Sequence, residues 1–241
     1  MTSRDMRATT AGVLFIVATV ASLVATGVIG SLLDGPGFLS SVAAHQGRLL
    51  VAALFQLVAA FTAAAIAISL YPVLRQRAAA MALGSVGFRL IEGVFYTLSA
   101  VGTLVLVAMS DQLANGGTTS AAAASSANLV RDLRESAGCV AVLAFYTGAT
   151  LYYLVFYRSE LIPRWLSAWG LIGTALGFVA GLLVLFRVIG LLSGPQMALN
   201  IPIGVQEMVF AVWLIWKGFT TPSTPPSTAR SEPLVGTGGR P

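Results

Sequence analysis

The segment RLIEGVFYTL sets Arg89 and Glu92 three residues apart in an otherwise apolar run, with Tyr96 four residues further on. On a helix this spacing brings all three to one side, where guanidinium and carboxylate neutralise each other and the phenol adds a hydroxyl. Near the other end of the chain, LNIPIGVQEMVFAVWLIWKGF gathers Asn200, Gln206 and Glu207 around Pro202. Pro202 suits the first turn of a helix, because its missing N–H would be unpaired there anyway. Both groups have the chemistry of a ligand, ion or proton site. They equally suit a polar contact that locks helices together. Arg89, Arg48 and Arg187 are the prospective partners of Glu207.

Two further groups are candidates for an outer mouth. HQGRL supplies His45, Gln46 and Arg48 ahead of one apolar run, with Gln56 inside it, and RDLRES supplies Asp132 and Glu135 ahead of another. His45 is the only histidine, so one chain has no axial haem pair and no histidine-rich metal centre. No metal and no cofactor are expected. The single cysteine, Cys139, has no partner for an internal disulfide. A phosphate-cradling loop, a zinc helix, a dinucleotide fingerprint and a nucleophile elbow are all missing from the sequence, which gives no catalytic residue to name. Basic residues are scattered between apolar runs and form no stripe, so nucleic acid is not an expected partner.

The elements that must carry these groups follow from composition. With 56% hydrophobic residues, 10% charged residues and a mean hydropathy of +0.85, the chain is far too apolar for a soluble domain. About 20 helical residues cross the hydrocarbon of a bilayer. Runs of that order extend over residues 10–33, 49–74, 79–109, 138–156, 166–188 and 199–216. They lack a two-residue alternation and are too long for barrel strands. The expectation is an all-α, polytopic bundle of six transmembrane helices over residues 10–219, after a cytoplasmic segment 1–9 and before a Pro/Ser/Thr-rich tail, 220–241, expected to be disordered. The Ala/Ser tract within residues 110–135 reads as a short interfacial helix or as a loop.

A cytoplasmic N terminus puts Arg4, Arg7, Arg75, Arg77, Arg158, Arg164, Lys217, Arg230 and Arg240 inside, against Arg48, Arg131, Arg134 and Arg187 outside. The positive-inside tendency therefore predicts both termini in the cytoplasm. Tyr71, Tyr157, Trp165, Trp169, Trp213 and Trp216 gather at the same ends, as interfacial rings do.

Gly173, Gly177 and Gly181 repeat at intervals of four and make a groove along one helix face. Packing within the chain is one use for it; a homo-oligomer or another membrane partner is the second. Ala80, Gly84 and Gly87 form a smaller face of the same kind.

The segments LYPVLR (70–75), RLIEG (89–93), ELIPRWLSAWGLIG (160–173) and NIPIGVQEMVFAVWLIWKGF (200–219) together resemble a bacterial integral-membrane family, domain of unknown function 4386. The resemblance covers roughly residues 8 to 219. It implies a six-helix membrane domain in the bacterial cytoplasmic membrane, matches Arg89 and Glu92 to an Arg-x-x-Glu feature and Pro202, Gln206 and Glu207 to a polar opening of the last helix, and assigns no activity. The functional expectation is binding or transport of a small molecule or ion through a polar cavity in the bundle, surrounded by membrane lipids. A non-enzymatic sensor or scaffold with a structural polar network is the alternative, and an intramembrane enzyme stands last.

Overall fold

The computed structural model describes residues 3–114, 121–190 and 193–220. Within them the chain forms helices α1 (Ser3–Ile29), α2 (Phe38–Ala44), α3 (Gln46–Leu74), α4 (Ala79–Ala114), α5 (Ala121–Ser159), α6 (Arg164–Leu185) and α7 (Gly194–Trp216), and no strand. All except α2 are long and apolar enough to cross a membrane, which makes six candidate spans. Hydrocarbon offers backbone groups no water, so each span must satisfy its own N–H and C=O groups, and a helix does so within one segment. The fold is all-α, as expected. The tail read as disordered falls almost wholly outside the described residues, as does the stretch 115–120 of the outer connection.

The spans stand in a ring that follows chain order: α1 packs on α3, α3 on α4, α4 on α5, α5 on α6, α6 on α7, and α7 returns to α1. The closure occurs near the termini. A Cβ at Gly12 would lie 2.6 Å from the Ala211 carbonyl oxygen, and the Phe15 and Phe210 rings meet edge to face with centroids 5.2 Å apart. Glycine is required there because the two backbones touch. Tyr152, Tyr153 and Phe156 join these two rings as an aromatic plug that fills the termini end. A smaller cluster at the far end packs Phe38 and Val42 of α2 among Ile29, Leu49 and Leu106.

The glycine groove of α6 is occupied from inside the chain. Gly173 receives Ile203 of α7, Gly177 lies against the Tyr146 ring, and Gly181 receives Leu143 of α5. Intramolecular packing therefore uses the face also considered for an oligomer or partner. On the other small-residue face Gly84 meets Leu151, whereas a Cβ at Gly87 would find open space.

Several helix limits differ from the sequence expectation. The helix that carries span four begins well before residue 138: α5 starts at Ala121 and runs for 39 residues. Alanine is the strongest helix former, so the Ala/Ser tract continues the helix past the apolar window that hydropathy detects. At ~58 Å, α5 outreaches the ~30 Å hydrocarbon layer, and α4, at 36 residues, does the same. Their surplus lies at the far end. The first span ends at Ile29, before Gly30 turns with φ 47°, and α6 ends at Leu185, before Arg187 turns with φ 57°. The last helix begins at Gly194 with Pro195 in its first turn, so Pro202 lies inside α7 and not at its start. There it leaves the Ala198 carbonyl without its usual helical donor.

Candidate functional site

Above the aromatic plug, the ring encloses a cavity of about 160 Å³. Small side chains on α3, Ala59 and Ala63, leave the space open, and α1 contributes Thr19 and Ser22. Leu23 stands on its rim at 68% exposure, so the cavity reaches the outside of the bundle beside α1. The ionisable residues of the wall come from two helices: Arg89, Glu92 and Tyr96 from α4, and Glu207 from α7.

Local packing fixes Arg89. Gly148 on α5 leaves room for its stem, since a Cβ there would approach the Arg89 Cγ to 3.3 Å. Arg89 Nε donates to the Ala63 carbonyl at 3.3 Å, and the guanidinium lies 5.0 Å from the centre of the Phe145 ring. Its Nη1 stands 3.0 Å from Glu92 Oε2. Arg89 is 2% exposed and Glu92 5%, which places the pair inside the protein, away from lipid. The contact is close but not aligned as a hydrogen bond, so Nη1 and Oε2 both remain buried without one.

Glu207 and Tyr96 face the same cavity, and among the described residues neither side chain makes a hydrogen bond or an ion pair. Of the three arginines considered for Glu207, Arg89 is the one in this wall. Arg48 donates to the Val28 carbonyl at 3.1 Å, and Arg187 is exposed in the turn after α6. One guanidinium thus serves two carboxylates. In a membrane interior such an excess charge is costly unless a proton or another cation compensates it.

Gln206 and Asn200 point elsewhere. Successive helical residues diverge by roughly 100°, so Gln206 cannot share the direction of Glu207. Gln206 accepts from the Tyr153 hydroxyl and donates to the Leu166 carbonyl at 3.1 Å, joining α7 to α5 and α6. Asn200 accepts from the Tyr146 hydroxyl, whose ring fills the place beside Gly177. Both are helix-joining contacts outside the cavity wall.

The residues considered for an outer mouth form separate local contacts. His45 Nδ1 is 3.0 Å from the Ser41 carbonyl, Gln46 donates to Ser110 and Asp111, Asp132 stands 4.0 Å from Arg131, and Glu135 is exposed on the extension of α5. Asp132 and Glu135 ride on a helix and not in a loop. Between that end and the cavity lies a polar contact that sequence reasoning missed: Arg134 Nε donates to Thr103 Oγ1 at 2.8 Å, and Thr103 lies 3.2 Å from Gln56 Oε1. Gly102 makes the approach possible, since a Cβ there would lie 2.9 Å from the Arg134 Cβ. The signal available was the spacing of Arg131, Arg134 and Gly138, which continues one face of span four beyond its apolar limit. Among the described residues, no group of three or more His, Cys, Asp or Glu side chains is placed to hold a metal ion.

Comparison with known families matches residues 10–218 to the family described as Domain of unknown function (DUF4386), and the chain belongs to that family. No curated protein and no solved structure matches the chain.

Proposed function

From a family that fixes a membrane domain and names no activity, we propose that the protein binds a small molecule or ion in the cavity between its helices and carries it across the membrane. The observation that supports this reading is Glu207, a carboxylate without an ion pair among the described residues, which faces the same cavity as Arg89 and Glu92. Ionisable side chains inside spans are expensive and mark substrate or ion paths more often than bare packing. The α1–α7 seam is the element suited to open and close. It is tight at Gly12, whereas a Cβ at Gly204, three residues before Glu207, would meet nothing within 4 Å.

The scaffold reading is less well supported, because the α6 glycine face that would dock a partner is filled by Ile203, Tyr146 and Leu143. Positive charge at the loops and at both ends favours cytoplasmic termini.

A cavity-filling variant tests the binding reading. Ala59→Leu pushes a larger side chain into the wall at a position that makes no hydrogen bond to Arg89, Glu92 or Glu207 among the described residues. The protein extracted with its native lipids should retain a small-molecule adduct in native mass spectrometry, and the variant should lose it while remaining monodisperse. An adduct that survives in the variant places the ligand elsewhere and removes the cavity from the account.

A further inference from the structure

The wall of the cavity also defines the chemistry of its occupant. We propose that the cavity binds a small organic cation of single charge, held by the Glu207 carboxylate, and that its entry releases one proton from the site. This rests on the binding reading above and adds the ligand class and the exchanged species.

Charge comes first. Arg89, Glu92 and Glu207 are the charged residues of the wall, and Arg89 is held 3.0 Å from Glu92. Glu92 is nine-tenths buried and lines the space, but its Oε2 is taken by the Arg89 ion pair, which leaves Glu207 as the carboxylate of the wall without a cation among the described residues. Arg89 on α4 is the charge that acts on Glu207, and Glu207 in turn acts on Glu92 and Tyr96 of α4 and on Tyr146, Tyr152 and Tyr153 of α5. The wall residues of α1 and α3 are not ionisable, and α6 carries no ionisable residue beyond Arg164. An ionised Glu207 therefore leaves the cavity one negative charge in excess. A proton cancels it when the cavity is empty, and a bound cation cancels it when the cavity is full.

Size and lining narrow the cation. A cavity of about 150 Å³ in another protein takes up benzene, so about 160 Å³ suits an occupant of that scale. Hard metal ions of the calcium type ask for six to eight oxygen ligands, whereas in this wall one of the two carboxylates is held by Arg89, the hydroxyls of Thr19, Ser22 and Tyr96 are the other side-chain oxygens, and the remainder is apolar side chains and the rings of Phe15, Tyr96 and Phe145. Rings and a single carboxylate suit an alkyl- or arylammonium group. Arg89 disfavours a second positive charge. The step balances: a protonated amine enters with its charge, forms an ion pair with the carboxylate, and the carboxyl proton leaves to solvent. No bond to carbon changes.

Titration calorimetry of the full chain in lipid nanodiscs tests this, using benzylammonium and its uncharged analogue benzyl alcohol at neutral pH in two buffers of different protonation enthalpy. Benzylammonium should bind with release of about one proton, and the alcohol should bind at least about tenfold more weakly. Glu207→Gln should lower the affinity for benzylammonium by at least about tenfold and erase the proton release, while leaving alcohol binding in place. Equal affinity for both compounds, or ammonium binding without proton release, overturns the cation exchange and leaves the binding reading standing. Binding of neither compound overturns both. The wild-type comparison stands on its own if the variant fails to fold.

Discussion

Glu92 and Glu207, carried by α4 and α7, face one cavity and share one arginine, yet Glu92 alone holds it within ion-pair distance. This makes Glu207 the spare counter-ion of the site. Glu92→Gln should cost only about 1–2 kcal/mol, because Arg89 can turn towards the second carboxylate, and Glu207→Gln should cost less. The double variant leaves a guanidinium buried without any anion and should cost about 3–5 kcal/mol, more than the two single effects together. Unfolding of the four proteins in one detergent, followed by circular dichroism, reads the coupling. Additive costs would mean that Arg89 does not exchange partners.

Two glycines separate close packing from open space. A Cβ at Gly177 would run into the Tyr146 ring, whose hydroxyl is bonded to Asn200. Gly177→Ala should therefore destabilise the protein by about 1–3 kcal/mol. Gly204 has nothing within 4 Å of the corresponding position, so Gly204→Ala should be neutral or raise stability by up to ~1 kcal/mol through helix propensity alone. Thermal midpoints in matched detergent decide, and equal losses at both sites would contradict the described packing of α6.

Gln206 and Glu207 are neighbours in sequence with separate tasks. Gln206→Leu strands the buried Tyr153 hydroxyl and the Leu166 carbonyl and should cost about 1–3 kcal/mol. Adding Tyr153→Phe removes the stranded hydroxyl and should restore part of that loss. Ligand binding in the cavity should be unchanged in the single variant. A binding defect equal to that of Glu207→Gln would put Gln206 in the wall after all.

Thr103→Val tests the contact that joins α4 to the long helix. Arg134 loses its acceptor, and stability should fall by about 1–2 kcal/mol. Hydrogen exchange of the α5 backbone between residues 127 and 140 should accelerate, while exchange near Phe156 stays slow. Unchanged exchange along α5 would show that Arg134 does not tether this segment.

The six spans were legible because membrane insertion imposes a simple rule, a long apolar run, on every one of them. Arg89 and Glu92 stood out for the same reason, since charge inside such a run is conspicuous and a spacing of three places both on one side. Helix length is not legible where propensity and hydropathy part company: residues 121–137 are good helix formers and poor membrane formers, so the sequence leaves a short interfacial helix or a loop where α5 runs on unbroken and carries Arg134. Partners across helices were not legible either. Gln206 and Glu207 differ by one position and face different neighbours, a distinction fixed by the rotation of α7 in the ring. Pro202 does not mark the start of the helix, because Gly194 and Pro195 open it about two turns earlier, in a stretch too polar for a hydropathy window.

Ring closure by the first and last helices has a consequence for biosynthesis. Spans enter the bilayer in order from the N terminus, so α1, α3, α4, α5 and α6 arrive before the element that seals them. Until α7 follows, Phe15 has no Phe210 to meet, the backbone of Gly12 lies bare, and the flank of the cavity that holds Arg89 and Glu92 stands open to lipid. The nascent chain must therefore hold an open arc with its buried charges already in the membrane. The cavity comes into being in a single late event, when the last span docks.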